Sequence, residues 1–274
     1  MSIPSVTPAD SLPAKADPYS NPASIEFGFR ARRFELVRGL IEAILAEKGE
    51  ADILDLGGTE TYWRIGKDFL DANRGRIRIT MVNPEVFPVE NAAIFTSICG
   101  DATDAALFAG RQFDLVHSNS VIEHVGWAPD MQRFADNTRR LGRRYYMQTP
   151  NYWFPYEPHF RFPGFQYLPE SLRRLMLRTM RLGFFNPVRD ANTARDIIDH
   201  HRLVSARQVR AFFPDAAVSF EKFRGLNKSI IAMRAEPAPL ASGRRIVDAP
   251  ALAAETGSGL SETAAEAGKL QINA

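Results

Sequence analysis

Apolar residues recur at helical spacing near the start of the chain. Phe29, Phe34, Leu36, Val37, Leu40, Ile41, Ile44 and Leu45 form a stripe within residues 24–48, while Arg30, Arg32, Arg33, Glu35, Arg38 and Glu42 fall largely between them. Gly49 stands where a C-cap glycine belongs. Residues 51–56 are a short, mostly apolar run carrying Asp55, and the run stops at Gly57-Gly58. That is the pattern of a buried strand breaking into a tight turn. A short helix is expected at 67–72, and 76–82 alternates cleanly as a second strand. Residues 92–99, 113–118 and 143–148 read as three more strands, with helices at 103–108 and 129–141 between them.

Five strands alternating with helices imply a parallel sheet covered on both faces. The rhythm breaks after Asn151. Residues 152–167 are aromatic and proline-rich, 169–182 form a basic helix, and 205–213 a further helix. Strands at 218–223 and 229–234, joined by a short link, imply an antiparallel closing pair. The expected organisation is one α/β domain over 24–235 with a helical cap inserted at about 152–204. Low-complexity ends, 1–23 and 236–274, are expected to be disordered.

Composition narrows the classes. An apolar fraction of 45% and a net charge of +2 fit an ordinary globular protein and argue against non-specific nucleic-acid binding. A single cysteine, Cys99, rules out an internal disulfide and makes a thiolate zinc site a poor expectation. The first 21 residues lack the pattern of a secretory signal, and no run reaches the ~18 apolar residues that span a bilayer. A cytoplasmic location is the resulting expectation.

In open α/β sheets a ligand sits beyond the carboxyl ends of the strands. The turn Gly57-Gly58-Thr59-Glu60-Thr61 lacks the glycine spacing of a dinucleotide site, and no phosphate-cradling loop occurs. A phosphate-free cofactor fits better. The motifs Ile53-Leu54-Asp55-Leu56-Gly57, Gly100-Asp101-Ala102 and the run from Phe113 through Ser118-Asn119 to Glu123-His124-Val125 occur in that order. With Gln148-Thr149-Pro150-Asn151 and Phe213-Pro214-Asp215-Ala216, they resemble the ordered motifs of class I S-adenosylmethionine-dependent methyltransferases of the type 11-like group, over about residues 30–235. The resemblance implies a Rossmann-like seven-stranded sheet with its last strand antiparallel. It implies S-adenosyl-L-methionine as cofactor, with Asp55, Gly57, Gly58 and Thr59 at its methionine end. Asn83 would lie at the ribose, Gly100, Asp101 and Ala102 at the adenine, and Asn119 beside the methyl group. Two positions depart from the family pattern. Thr59 and Thr61 replace later glycines, and Asn83, with Glu85 two residues on, replaces the usual ribose-binding acid.

The candidate catalytic residues are His124, after the fourth strand, and Glu157 and His159, after the fifth. Methyl transfer asks mainly for alignment of the acceptor, helped by a base where an oxygen or nitrogen must lose a proton. For His124 the competing reading is a loop-shaping hydrogen bond, and for Glu157 and His159 a pinned loop. No metal is expected: His117, His124, His159, His200 and His201 contain no His-x-x-x-His pair, and His200-His201 reads as surface. The basic helix, with Leu172, Leu175, Met176 and Met180 on one side, reads either as a lid with peripheral membrane contact or as a helix packed on the sheet. The expected activity is methyl transfer to an O, N or C atom of a small-molecule or lipid-linked acceptor. The alternatives are a non-catalytic S-adenosylmethionine-binding protein and a nucleic-acid methyltransferase. The oligomeric state is not legible in the sequence.

Overall fold

The computed structural model describes residue 21 and residues 23–237. Residues 1–20 and 22 of the proposed leader, and the proposed tail beyond residue 237, lie outside the described residues. Helix α1 (Ile25–Lys48) is capped by the Ser24 hydroxyl, which accepts from the Phe27 N–H, and ends at left-handed Gly49. Strand β1 (Ala51–Leu56) follows, then the short α2 (Glu60–Trp63) and α3 (Lys67–Ala72). Next come β2 (Ile77–Asn83), β3 (Phe95–Cys99), β4 (Phe113–Asn119), α4 (Ala128–Leu141) and β5 (Gly142–Pro150). The cap contains a small hairpin, β6 (Tyr156–Glu157) with β7 (Phe162–Pro163), and helices α5 (Glu170–Thr179) and α6 (Ala191–Asp199). Helix α7 (Ala206–Phe212) then leads into β8 (Ala217–Phe223) and β9 (Leu226–Arg234).

The sheet order is β3-β2-β1-β4-β5-β9-β8. β1 to β5 pair in parallel, and β9 runs antiparallel to both neighbours. Side chains alternate between the two faces. Ile53, Leu115 and Tyr146 pack under α1, α2 and α3, whereas Leu54, Leu56, Val116, Tyr145 and Met147 pack under α4 and α7. The β8–β9 turn is two residues, Arg224 and Gly225, both with positive φ, the twist that suits a tight hairpin.

Three expectations change. The helix at 103–108 is a series of turns, because Asp101 and Asp104 accept the N–H groups of Thr103 and Ala106, while Asn137 holds the carbonyls of Ala102 and Asp104. The cap holds an additional helix, α6, and a core of its own around Phe160, Phe165, Leu177 and Phe185. Finally, α5 buries Leu177 rather than the expected stripe, leaving Leu172, Leu175 and Met180 40%, 55% and 44% exposed.

One charged residue of α1 is buried in the sheet edge. Arg33 makes a bidentate pair with Glu221 of β8, at 2.9 and 2.6 Å, and donates to Asn119 Oδ1, Gln148 Oε1 and Ser229 Oγ. A guanidinium has five N–H donors, and five acceptors meet it. Burial opposes its charge, but the bonds to Glu221 prevail and hold its pKa above the ordinary value. Burial likewise raises the pKa of Glu221, and Arg33 and Lys228 outweigh that effect and lower it.

Removing one partner strands the other charge, so Arg33→Met should cost about 3–5 kcal/mol in urea denaturation. Arg33→Met combined with Glu221→Met should recover much of that loss. Glu221 titrates lower in the fold than in the unfolded chain, so its stabilisation is complete above the unfolded value of 4.5 and is lost as pH falls through the folded value. The wild type should therefore lose stability in that acid window, and Arg33→Met should show a weaker acid slope.

Candidate functional site

The carboxyl ends of β1, β4 and β5 carry two polar neighbourhoods. The first is built on the glycine turn. Gly57 has φ +76°, and a Cβ there would lie 2.5 Å from Val121 Cγ2. A Cβ on Gly58 would lie 1.7 Å from Asp55 Oδ2. Both glycines are therefore demanded by packing within the turn. Asp55 is fully buried, with Oδ2 accepting from Trp63 Nε1 at 2.8 Å and Oδ1 bonded to His117 Nδ1 at 2.7 Å. Its oxygens hold the turn to α2 and β4, which the sequence expectation of direct ligand contact did not foresee. Trp63 and His117 were thus missed as turn-shaping residues, because their convergence on Asp55 depends on β1–β4 pairing. His117 Nε2 is buried without a hydrogen-bond partner.

Around this turn, Asn83 Nδ2 donates to Gly58 O at 2.8 Å and Gly100 N–H donates to Asn83 O. Thr59 is the N-cap of α2 but makes no side-chain capping bond. Asp101 is exposed and accepts both the N–H and the hydroxyl of Thr103 through Oδ1, and Ala102 follows it in the turn that Asn137 holds. Asn119 and Gln148 both receive Arg33, and Gln148 Nε2 is buried without a partner.

The second neighbourhood grows from the loop after β4. Ser120 adopts φ +56°, donates its N–H to Gln148 O and turns the chain so that Val121 covers Gly57. Two residues on, Glu123 is fully buried, with Oε2 accepting from Thr149 at 2.8 Å and Oε1 unpartnered. His124 Nδ1 bonds the His200 carbonyl at 2.8 Å, and its Nε2 is buried without a partner. From the cap, His159 Nδ1 bonds Glu157 Oε1 at 2.7 Å, and Glu157 Oε2 accepts the Phe160 N–H. His201 joins them, with its ring 4.8 Å from His124 and 4.9 Å from His159, whereas His200 stays exposed.

Burial holds the His124 pKa well below its ordinary value, reinforced by His159 and His201. Burial and His159 push His201 down to about 4. For His159 burial acts in the same sense, but Glu157 outweighs it and raises the pKa. Burial raises that of Glu123. One donor atom each from Glu123, His124 and His159 lie within 4.8 Å of one another, a set that could hold a metal ion. The spacing argument against a metal looks for a pair on one helix. It cannot see two distant segments converging, nor the carboxylate of Glu123.

Gly58→Ala should lower unfolding stability by at least about 2 kcal/mol, because the added Cβ must displace the doubly bonded Asp55. Near-UV circular dichroism should register the released Trp63. Gly39→Ala, in α1 with open space around it, should instead stabilise by about 0.5–1 kcal/mol.

No family model matches the chain. Over 71 residues it is 38% identical to two uncharacterised proteins of Mycobacterium tuberculosis, Rv1509 and MT1557. The match covers 26% of this chain and 22% of each relative's length. Among solved structures, the magnesium protoporphyrin IX methyltransferase of Synechocystis PCC 6803 with bound SAH superposes with a TM-score of 0.40 at 14% identity, covering 76% of this chain and 84% of that one. The N-methyltransferase NodS of Bradyrhizobium japonicum gives 0.40 at 11%, covering 75% and 94%. An O-methyltransferase family protein of Burkholderia thailandensis gives 0.40 at 14%, covering 77% and 59%. In its own strand order, with five parallel strands and an antiparallel β9 between β5 and β8, the chain has the class I methyltransferase fold.

Proposed function

We propose that this chain is an S-adenosyl-L-methionine-dependent methyltransferase acting on an O, N or C atom of a small-molecule or lipid-linked acceptor. The observation that supports it most is the pairing of a glycine turn at the β1 exit with a buried, unpartnered amide donor, Gln148 Nε2, at the β5 end of the same sheet edge. Such a donor suits the carboxylate of an amino-acid cofactor. The residues present fit this group. Asn119 and Gln148 would hold its methionine end, Gly57, Gly58 and Thr59 would supply the turn beside it, Asn83 would meet the ribose diol, and Gly100, Asp101 and Ala102 the adenine edge. Asp55 would act through the turn that it holds. When bound, the cofactor supplies an activated methyl group on a sulfonium.

The protein's own share is alignment and proton handling. Glu157 orients the His159 imidazole through Nδ1, which leaves Nε2 to receive an acceptor proton, and the Glu157 carboxylate offsets the resulting charge. His124 borders the same space, its ring 4.8 Å from that of His159.

A cofactor-binding protein without catalysis is the second reading, favoured by Thr59 and Thr61 where later glycines would give the cofactor room. Isothermal titration with S-adenosylmethionine, beside a methyl-transfer assay on a metabolite and lipid extract, separates the two. Micromolar binding with transfer supports the enzyme, binding without transfer supports the second reading, and no binding defeats both. Once an acceptor is known, His159→Ala should lower turnover by about 10²-fold or more while cofactor affinity stays within about twofold.

A further inference from the structure

Three of the five histidines, remote in sequence, converge beside a fully buried glutamate, and their hydrogen bonds fix where the ring lone pairs lie. A carbonyl oxygen only accepts. The bonds from His124 to His200 O and from His201 to Ile197 O therefore place a proton on each Nδ1 and a lone pair on each Nε2. Glu157 holds His159 Nδ1 in the same sense, at 2.7 Å. A second ring nitrogen donating to a carbonyl or a carboxylate is the outer-shell pattern that orients metal-bound imidazoles.

Two atoms of this cluster lack internal partners. Glu123 Oε1 and His124 Nε2 are buried atoms without hydrogen bonds, which is unfavourable unless something else meets them. Thr149 anchors the other Glu123 oxygen, so Oε1 is presented rather than free to swing away. From this geometry we propose that Glu123, His124 and His159 form a binding site for a divalent first-row transition-metal ion, with Glu157 and the His200 carbonyl as its outer shell.

Two imidazoles and one carboxylate suit zinc, iron(II), cobalt(II) or manganese(II), and disfavour magnesium or calcium, which prefer all-oxygen sites. Ligands at about 2.1 Å from one ion stand no more than about 4.2 Å apart. The donor atoms here lie within 4.8 Å of one another, so small side-chain shifts close the set. Three protein ligands leave coordination positions open, as in an exchanging site rather than a sealed structural one. The proposal stands whether or not the chain transfers methyl groups. An ion on His159 Nε2 would take the lone pair that otherwise accepts a proton.

The test uses the full, untagged chain carrying Cys99→Ser, which removes the exposed thiol as a competing ligand. After chelation and dialysis, zinc titration should show one saturable site per chain and a rise in thermal midpoint, with no comparable response to magnesium. Cobalt(II) should give a visible absorption spectrum that zinc abolishes. Glu123→Gln and His124→Ala should each weaken zinc by at least tenfold, and Glu157→Gln by about 10–100-fold. His200→Ala, which retains the carbonyl and removes only an exposed ring, should bind as the parent does. Absence of a saturable zinc site in the parent overturns the proposal even if the variants fail to fold. So does affinity unchanged by Glu123→Gln and His124→Ala, or lost in His200→Ala, which would mark a surface site.

Discussion

The structure depends on a single buried cation. Arg33 comes from the first helix, yet its five donors end on β4, β5, β8 and β9. An uncompensated guanidinium in this position would be prohibitive, so the helix can dock only where all of these strands are already in register. The pair with Glu221 lies next to a register shift in the β8–β9 ladder, between Glu221 and Lys222. Its cost and its specificity come from the same source: many partners must be placed at once. Arg33 also ties the packing of the first helix to Asn119 and Gln148, side chains at the carboxyl ends of β4 and β5.

Strand alternation then divides the labour at that exit. Gln148 and Thr149 are consecutive residues of β5 and point to opposite faces. Gln148 joins Arg33, and Thr149 holds Glu123 in the histidine cluster. The loop after β4 makes the same division over a few residues, since Val121 sits on the glycine turn and Glu123 and His124 enter the cluster. A shift in this loop would therefore be felt at both neighbourhoods, coupling them through packing rather than through a long pathway. The left-handed Ser120 at its start is a strained backbone held by two bonds to Gln148, consistent with a loop shaped for more than connection.

The sheet was legible in the sequence because each strand carries its own signal. Alternation in residues 76–82 and the apolar run ending at Gly57-Gly58 are local patterns that survive without tertiary knowledge. The segment 103–108 misled for a physical reason: aspartates at 101 and 104 compete for backbone N–H groups and make turns from residues that otherwise suit a helix. Helix α5 misled in another way. Its charge-free stripe reads as a buried face, but α6 packs beside Leu177, and nothing in the stripe itself announces α6. At the candidate site, Asp55 and the two glycines were visible as a motif. Their mutual dependence was not, since it rests on a Cβ that is missing at Gly58 and on an imidazole that arrives from β4. The histidine cluster was legible only in part: His124, Glu157 and His159 stood out as candidates, but their convergence with Glu123 and His201 depends on the fold.

Some of the buried polar groups near the sheet edge are met within the fold, and some are not. At Arg33 the fold matches each donor to an acceptor, so charge burial is settled internally. At the glycine turn Asp55 is settled as well, by Trp63 and His117. Beyond these two points, at the same sheet edge, Gln148 Nε2, Glu123 Oε1 and His124 Nε2 are buried and left without partners. A sequence selected for stability alone would gain from replacing each of them with an apolar residue of similar volume. His117 Nε2, on the ring that holds Asp55, is a fourth such atom at this edge. Unmet groups of this kind suit something that the chain does not itself supply. The amide donor beside Arg33 matches an acceptor-bearing small molecule, and the carboxylate with imidazole lone pairs matches a cation. On the two proposals made above, one ligand of each electrostatic character would meet these groups.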